Sequence, residues 1–414
     1  MKEKKARYGK DFSLIVIGQI ISLFGNAILR FALPLYLLRE TGSSALFGIV
    51  TAFSLLPMIV LSLLGGVLAD RVNKRNIMVG LDFFTAVVIV GFYILKGVVP
   101  TVPLFTVTLM LLYGISGTYQ PAVQASIPAL VPKERILWAS AIVNQIGSLA
   151  NFIGPIIGGM LYGIWGIKSI LQVSIMCFLL SAVMELFIVI PFHKQTGKNK
   201  LGQTVKKDLR EGLHFLKSEK PVFIKVCIAI AGLNLFLSSM ITIGVPVIII
   251  DTLSLTDQML GITQGLLAIG GIAGGLLTSL FEKKLRPCKA DVFLYLCGGF
   301  TCMMGLGMLP ERVPVVQYAV LSSTGMAVMI ASTMFSIQML AVVQTQTPSH
   351  LVGKVIACIM TLIMCSQPVG QLIYGLLFEV LSQYTAAVIL GTGIISLLIA
   401  MYSKSILREL GPDL

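Results

Sequence analysis

Residues 65–76 read GGVLADRVNKRN and set one acid and three bases, Asp70, Arg71, Lys74 and Arg75, directly behind a glycine pair. A plain connection between two apolar segments needs neither the glycines nor the acid. Gly65 and Gly66 let a helix end approach a neighbouring helix closely. Asp70 can then accept from the N-terminal end of another helix, where unpaired N–H groups carry partial positive charge. The cluster reads as a latch that holds one side of a moving protein closed, with Arg71, Lys74 and Arg75 paired to Asp70, to Asp82 or to lipid phosphates. The other reading is that the bases only fix orientation in a membrane. Asp82 and Glu185 are the carboxylates inside apolar runs, and an intramembrane carboxylate can take up and give back a proton. Both sit near the ends of their segments. Asp82 therefore also reads as part of the latch, and Glu185 as an interface anchor.

Polar residues also recur at helical spacing. Gln19, Ser22, Asn26 and Arg30 follow one another at intervals of 3, 4 and 4, so they share one helix face. Asn234, Ser238 and Thr242 repeat that spacing, and so do Asn144, Ser148 and Asn151. Gln120 and Gln124 form a shorter stripe, and Gln338 stands alone. Polar side chains facing lipid are costly, so these stripes should face a bundle interior or a wet path for substrate. They serve equally as interhelical hydrogen bonds without substrate contact. Arg30 lies 18 residues beyond Phe12, or about 27 Å along a helix. It either snorkels to the outer interface or presents a buried cation to a carboxylate or another polar group of a large substrate.

Other chemistries find no footing. His193, His214 and His350 lie in or near connections and make no metal-ligand pair. The seven cysteines have no CxxC spacing, so neither a metal nor a redox centre is expected. No G-x-x-x-x-G-K-[ST] loop is present, which excludes ATP-driven pumping by this chain alone. The reading is of a protein that is not an enzyme and needs no cofactor.

The elements that must position these residues are membrane helices. The 414-residue chain is 56% hydrophobic and 12% charged, with a mean hydropathy of +0.92; soluble domains carry about 25% charge. Twelve apolar segments can be marked: 12–38, 44–69, 76–96, 102–127, 137–164, 168–190, 221–250, 258–281, 288–309, 313–341, 351–379 and 383–403. Of the 31 lysines and arginines, 26 fall on the N-terminal tail and alternate connections, four on the others, and Arg30 lies inside the first segment. Such asymmetry marks the basic side as cytoplasmic. Both termini are expected there, and the net charge of +13 needs no nucleic acid. The basic N-terminus, MKEKKARYGK, precedes a 27-residue apolar run and reads as an uncleaved anchor.

The long polar stretch 191–220 divides the chain into halves, 1–190 and 221–414. Val205, Leu209, Leu213 and Leu216 share a face apart from Lys206, Lys207 and Arg210, which describes either a basic amphipathic helix at the inner membrane surface or a solvated hinge. Punctuation repeats between the halves. Gly65-Gly66 returns as Gly274-Gly275, 209 positions on; Pro155 returns as Pro368 and Tyr162-Gly163 as Tyr374-Gly375, shifted by 213 and 212. Duplicated six-helix halves are a transporter architecture with a substrate site near the bilayer midplane. The expected fold is all-α, with twelve transmembrane helices in two pseudo-symmetric halves. Such a bundle closes its own cavity and can work as a monomer.

Gly66-Val-Leu-Ala-Asp70-Arg71-Val-Asn-Lys74-Arg75 resembles the loop 2–3 signature of the major facilitator superfamily, G-x-L-x-D-R-x-G-R-K/R. Asn73 stands where that pattern has glycine, and Asn tolerates the left-handed conformation such a turn would require. Gly154-Pro155-Ile-Ile-Gly158-Gly159 is similar to the G-P-x-x-G-G signature of the drug:proton antiporters in that superfamily. The stretches IPALVPKERILWASAIVNQIGSLANFIGPIIGG and DLREGLHFL resemble the branch that holds macrolide-efflux proteins and enterobactin-type exporters. The resemblance implies a cavity lined by helices one, four, seven and ten, and a bend or tight contact at Pro155 that limits leak. It also implies export of bulky amphipathic molecules, macrolide-like drugs first, in exchange for protons across a bacterial inner membrane. Export of an anionic siderophore, with Arg30 as its partner, is the second reading. A non-transporting sensor or scaffold is a third, because helix four lacks the arginine that many relatives carry.

Overall fold

Apolar runs this long can satisfy their backbone in a bilayer only as helices or closed barrels, and the computed structural model is helical almost throughout. It describes residues 2–190, 201–281, 285, 290–309, 313–348 and 351–409. Four helices come first: α1 (Lys2–Thr41), α2 (Ser44–Arg71), α3 (Lys74–Leu95) and α4 (Thr101–Leu130). The next helical stretch, Ile136–Leu186, is interrupted at Gly166, whose φ of 67° and ψ of −179° suit glycine alone. The break makes two helices, α5 (136–165) and α6 (167–186).

Then follow α7 (Leu201–Ser218) and α8 (Pro221–Thr252), which contains π-turns at Asn234–Ser238 and Ile248–Thr252. The chain continues with α9 (Asp257–Leu280), α10 (Asp291–Gly307), α11 (Pro314–Gln346), α12 (Val352–Val380) and α13 (Thr385–Glu409). Among the described residues, ten stretches are long and apolar enough to cross a membrane, and α10 is a shorter apolar helix. With the Gly166 break counted, they match the twelve expected segments. The protein is a multi-pass, all-α membrane protein.

The described helices gather into two compact units, Met1–Glu40 with Phe53–Val205, and Thr41–Ala52 with Lys206–Leu414. Helix α2 therefore gives its first turns to the second unit and the rest to the first.

In a bilayer, close packing substitutes for the hydrophobic drive of water, and small residues permit it. In the first unit a Cβ on Gly117 of α4 would stand 2.7 Å from the Met58 carbonyl oxygen of α2. Phe105 of α4 meets Phe92 of α3 edge-to-face, with centroids 4.8 Å apart, and stacks on Tyr36 of α1 at 5.5 Å. In the second unit, a Cβ on Gly274 of α9 would meet the Ile330 carbonyl oxygen of α11 at 2.6 Å.

The turn between α2 and α3 differs from expectation. Asn73 has φ −60° and ψ 118°, and its Oδ1 accepts the Arg75 N–H at 3.1 Å. It is an extended N-cap of α3 and not a left-handed residue. Asn is among the best residues for that task, which removes the need for glycine there.

Candidate functional site

The polar stripe of α1 runs along the inside of the first unit. Gln19 is fully buried, and neither its amide nitrogen nor its oxygen has a hydrogen-bond partner. One turn on, Ser22 Oγ donates to Asp82 Oδ1 of α3 at 3.0 Å. Asn26 is half-buried, with its Oδ1 unpartnered. The Arg30 guanidinium lies 4.0 Å above the centre of the Tyr113 ring of α4, a cation–π contact that holds it half-buried.

Glu185 of α6 is fully buried, and its Oε1 accepts from the Tyr119 hydroxyl of α4 at 2.7 Å. Ser181, one turn earlier, donates to the Gly18 carbonyl oxygen of α1 at 3.1 Å. Asp82, Glu185, Ser22, Tyr119 and Ser181 thus form one polar cluster fed by α1, α3, α4 and α6. In this cluster Asp82 accepts from Ser22 of α1. Glu185 is turned wholly inward.

Sequence reasoning missed Tyr119 and Ser181. A tyrosine in an apolar helix looks like packing, and Ser181 carried one faint signal, its spacing of four from Glu185.

Elsewhere in this unit, Gln124 Nε2 donates to Asn144 Oδ1 at 3.0 Å, joining α4 to α5. Gln120 is half-buried, and Asn144 and Asn151 are exposed. The Gly154–Pro155 segment packs α5 onto α1. A Cβ on Gly154 would collide with Ala27 Cβ, and one on Gly158 would stand 3.0 Å from the Phe31 ring. Gly159 is buried beside them.

In the loop, Arg71 and Lys74 are half-buried, and Arg75 Nη2 donates to the Leu186 carbonyl at the end of α6. A Cβ on Gly65 would stand 3.1 Å from Thr118 Cα, so α2 meets α4 there. Gly66 and the Asp70 side chain lie outside the described residues, as do the side chains of Lys206 and Lys207.

In the second unit the stripe of α8 coincides with a π-turn. Asn234 Nδ2 donates to the Ile230 carbonyl at 3.1 Å, and the Ser238 carbonyl accepts from Thr242 Oγ1 at 2.8 Å. Widened turns of this kind gather at functional sites. Gln338 of α11 is buried; its Nε2 donates to the Met334 carbonyl and its Oε1 has no partner. Glu379, near the end of α12, was not foreseen. Its Oε2 accepts from Ser43 Oγ, Ser44 Oγ and the Ala45 N–H, each at 3.1 Å. It caps the first turn of α2, where a negative charge meets the positive end of the helix dipole.

The sequence profile of the Major Facilitator Superfamily matches residues 15–371. The chain belongs to that superfamily. Macrolide efflux protein A of Streptococcus pyogenes is 25% identical over 396 residues, covering 90% of this chain and 91% of that one. Enterobactin exporter EntS of Escherichia coli O1:K1 / APEC is 23% identical over 347 residues, with 83% and 79% covered. Among solved structures, a bacterial homologue of the human lysosomal transporter Spinster in an inward-facing, unoccupied conformation superposes with a TM-score of 0.73. Its identity is 12% and its coverage 97% of both chains, so it speaks for the fold alone. As a facilitator-superfamily transporter the chain moves small molecules and performs no bond chemistry on them.

Proposed function

We propose that this transporter exports bulky amphipathic small molecules of the macrolide class from a bacterial cell by alternating access, driven by proton entry. Both termini face the cytoplasm of the inner membrane in this reading, and 1–190 and 221–414 are the two halves that exchange access, with 191–220 as the connection. The observation that carries the substrate class is the likeness over nine-tenths of the chain to a macrolide efflux protein. The composition of the helices supports it. The residues offered to substrate are uncharged amides and hydroxyls (Gln19, Asn26, Gln120, Gln124, Asn144, Asn151, Asn234, Ser238 and Gln338) among apolar side chains, which suits large ligands of mixed polarity. No deep acid in this set would select a strongly cationic drug.

Gly66, Asp70, Arg71, Lys74 and Arg75 act as the cytoplasmic latch. Gly154, Pro155, Gly158 and Gly159 keep α5 tight on α1 against leak. The test is accumulation of a labelled macrolide, a cationic dye and a catecholate siderophore in an efflux-deficient host, with and without a protonophore. Expression should lower macrolide accumulation, and the protonophore should abolish the effect.

One observation favours a second substrate. Arg30 is a half-buried cation with an aromatic partner and no described acid, and it continues the α1 stripe. An anionic siderophore would find its counter-charge there, in keeping with the enterobactin exporter among the relatives. Loss of catecholate export in Arg30→Gln would establish that route; export of the dye alone would refute both.

A further inference from the structure

Two carboxylates lie inside the first unit where no water solvates them. Asp82 is 1% exposed and Glu185 is 0% exposed. Each has one oxygen satisfied by a neutral hydroxyl, Ser22 Oγ for Asp82 and the Tyr119 hydroxyl for Glu185. The other oxygens, Asp82 Oδ2 and Glu185 Oε2, are buried without any partner. The Ser181 hydroxyl adjoins Asp82, and the two carboxylates feel one another's charge. Glu185 is also wedged against α1, since a Cβ on Gly18 would stand 3.4 Å from Glu185 Cγ and 3.6 Å from its Oε1.

The groups facing the pair from each packed element are few. Helix α1 presents Gly18 and Ser22, α4 presents Tyr119, α6 presents Ser181 and Glu185, and α3 presents Asp82 itself. Arg75, at the foot of α3, donates from Nη2 to the Leu186 carbonyl next to Glu185, and its Nε is buried without a partner. Neither carboxylate makes an ion pair with any described base.

Two uncompensated negative charges side by side in a low-dielectric interior are not sustained, and removing one of them resolves both desolvation and repulsion. The vacant oxygens are where the compensating particle must bind. The other oxygen of each carboxylate is already taken by a hydroxyl donor, and among the described residues no group of three or more acidic, histidine or cysteine side chains gathers to hold a metal ion, whereas calcium takes six or more oxygen ligands. A proton needs one oxygen and can be shared between two.

We infer that Asp82 and Glu185 together bind the single proton exchanged in each transport cycle. Ser22 on α1 and Tyr119 on α4 are positioning residues that pass its arrival and departure to the polar stripes. The inference rests on the proton-driven reading above. The step makes one O–H bond on Oδ2 or Oε2 and breaks it on release to the opposite side, with no other bond changed. Coupling follows from α1 itself: Ser22, which holds Asp82, belongs to the same helix face as Asn26 and Arg30. Substrate engaging that face and a proton engaging the pair therefore pull on one rigid helix.

The test uses the purified full-length chain in two measurements. In detergent, infrared difference spectra between acid and alkaline pH should show a protonated carboxyl band that titrates. That band should disappear in Asp82→Asn with Glu185→Gln, and shift in each single variant. In proteoliposomes, exchange of labelled erythromycin at equal pH on both sides should depend on pH in the wild type and lose that dependence in either variant. Uptake driven by an imposed pH gradient should fall to the equilibrium level.

A titrating band that survives the double substitution overturns the inference, as does gradient-driven uptake that persists in both variants. So does uptake driven by a sodium gradient at equal pH. If the wild type binds the proton at this pair yet shows no gradient-driven uptake, the transport reading fails and the site stands. If the wild type is gradient-driven and the band lies elsewhere, the reverse holds.

Discussion

The Tyr119–Glu185 hydrogen bond is exacting, because a fully buried carboxylate has nowhere else to turn. Tyr119→Phe leaves Glu185 without its one neutral donor, and a buried acceptor stranded in this way costs about 1–3 kcal/mol. Thermal unfolding in detergent should show a lower midpoint for Tyr119→Phe, and a smaller drop for a tyrosine outside the cluster such as Tyr318→Phe, whose hydroxyl donates to a backbone carbonyl at 3.1 Å.

Ser22→Ala removes the donor to Asp82 and should displace the pH at which transport is half-maximal more than it changes the maximal rate. The measurement is a pH profile of macrolide exchange. How far this was legible in sequence depends on the residue. Asp82 and Glu185 stood out because carboxylates in apolar runs are rare. Their joining did not, because they lie on different helices and no local spacing links them. Arg30 was visible by its charge, but its seat on the Tyr113 ring depends on how α1 and α4 pack.

At the scale of elements, the glycines set which helices touch. Gly154→Ala drives a methyl group into Ala27, so α5 must move off α1; overpacking of this kind costs about 1–3 kcal/mol. The single variant should lower both thermal stability and transport, and adding Ala27→Gly should restore most of each. A double-mutant cycle checks this, since additive losses would show that the contact does not matter.

The first turn of α2 depends instead on Glu379, which takes two hydroxyls and the Ala45 amide. Glu379→Ala should speed hydrogen exchange at Ala45 and leave the amides of 58–60 unchanged, because the capping effect fades within the first turn. The Gly-Pro signature gave away the α5 contact in sequence. The Glu379 contact was hidden, because an acid at the end of an apolar segment looks like a boundary marker. The turn at Asn73 was misread because the family pattern has glycine there, whereas the residue present caps a helix.

For the whole molecule, hydropathy and the lysine–arginine asymmetry were sufficient to read twelve helices, since a bilayer leaves the backbone few alternatives. Even the long stretch Ile136–Leu186 divides where two segments were marked, at Gly166. What the pattern could not reveal was the division of α2 between two compact units, which depends on contacts far apart in the chain.

Function at this scale is a claim about coupling: one buried proton site in the first unit, polar helix faces for a large amphipathic substrate, and a cycle that links them. The direct measurement is uptake of labelled erythromycin into proteoliposomes whose interior is more acidic than the bath. The account predicts accumulation above the equilibrium level that vanishes when a protonophore collapses the gradient. Uptake that reaches the same level with and without the gradient would contradict it.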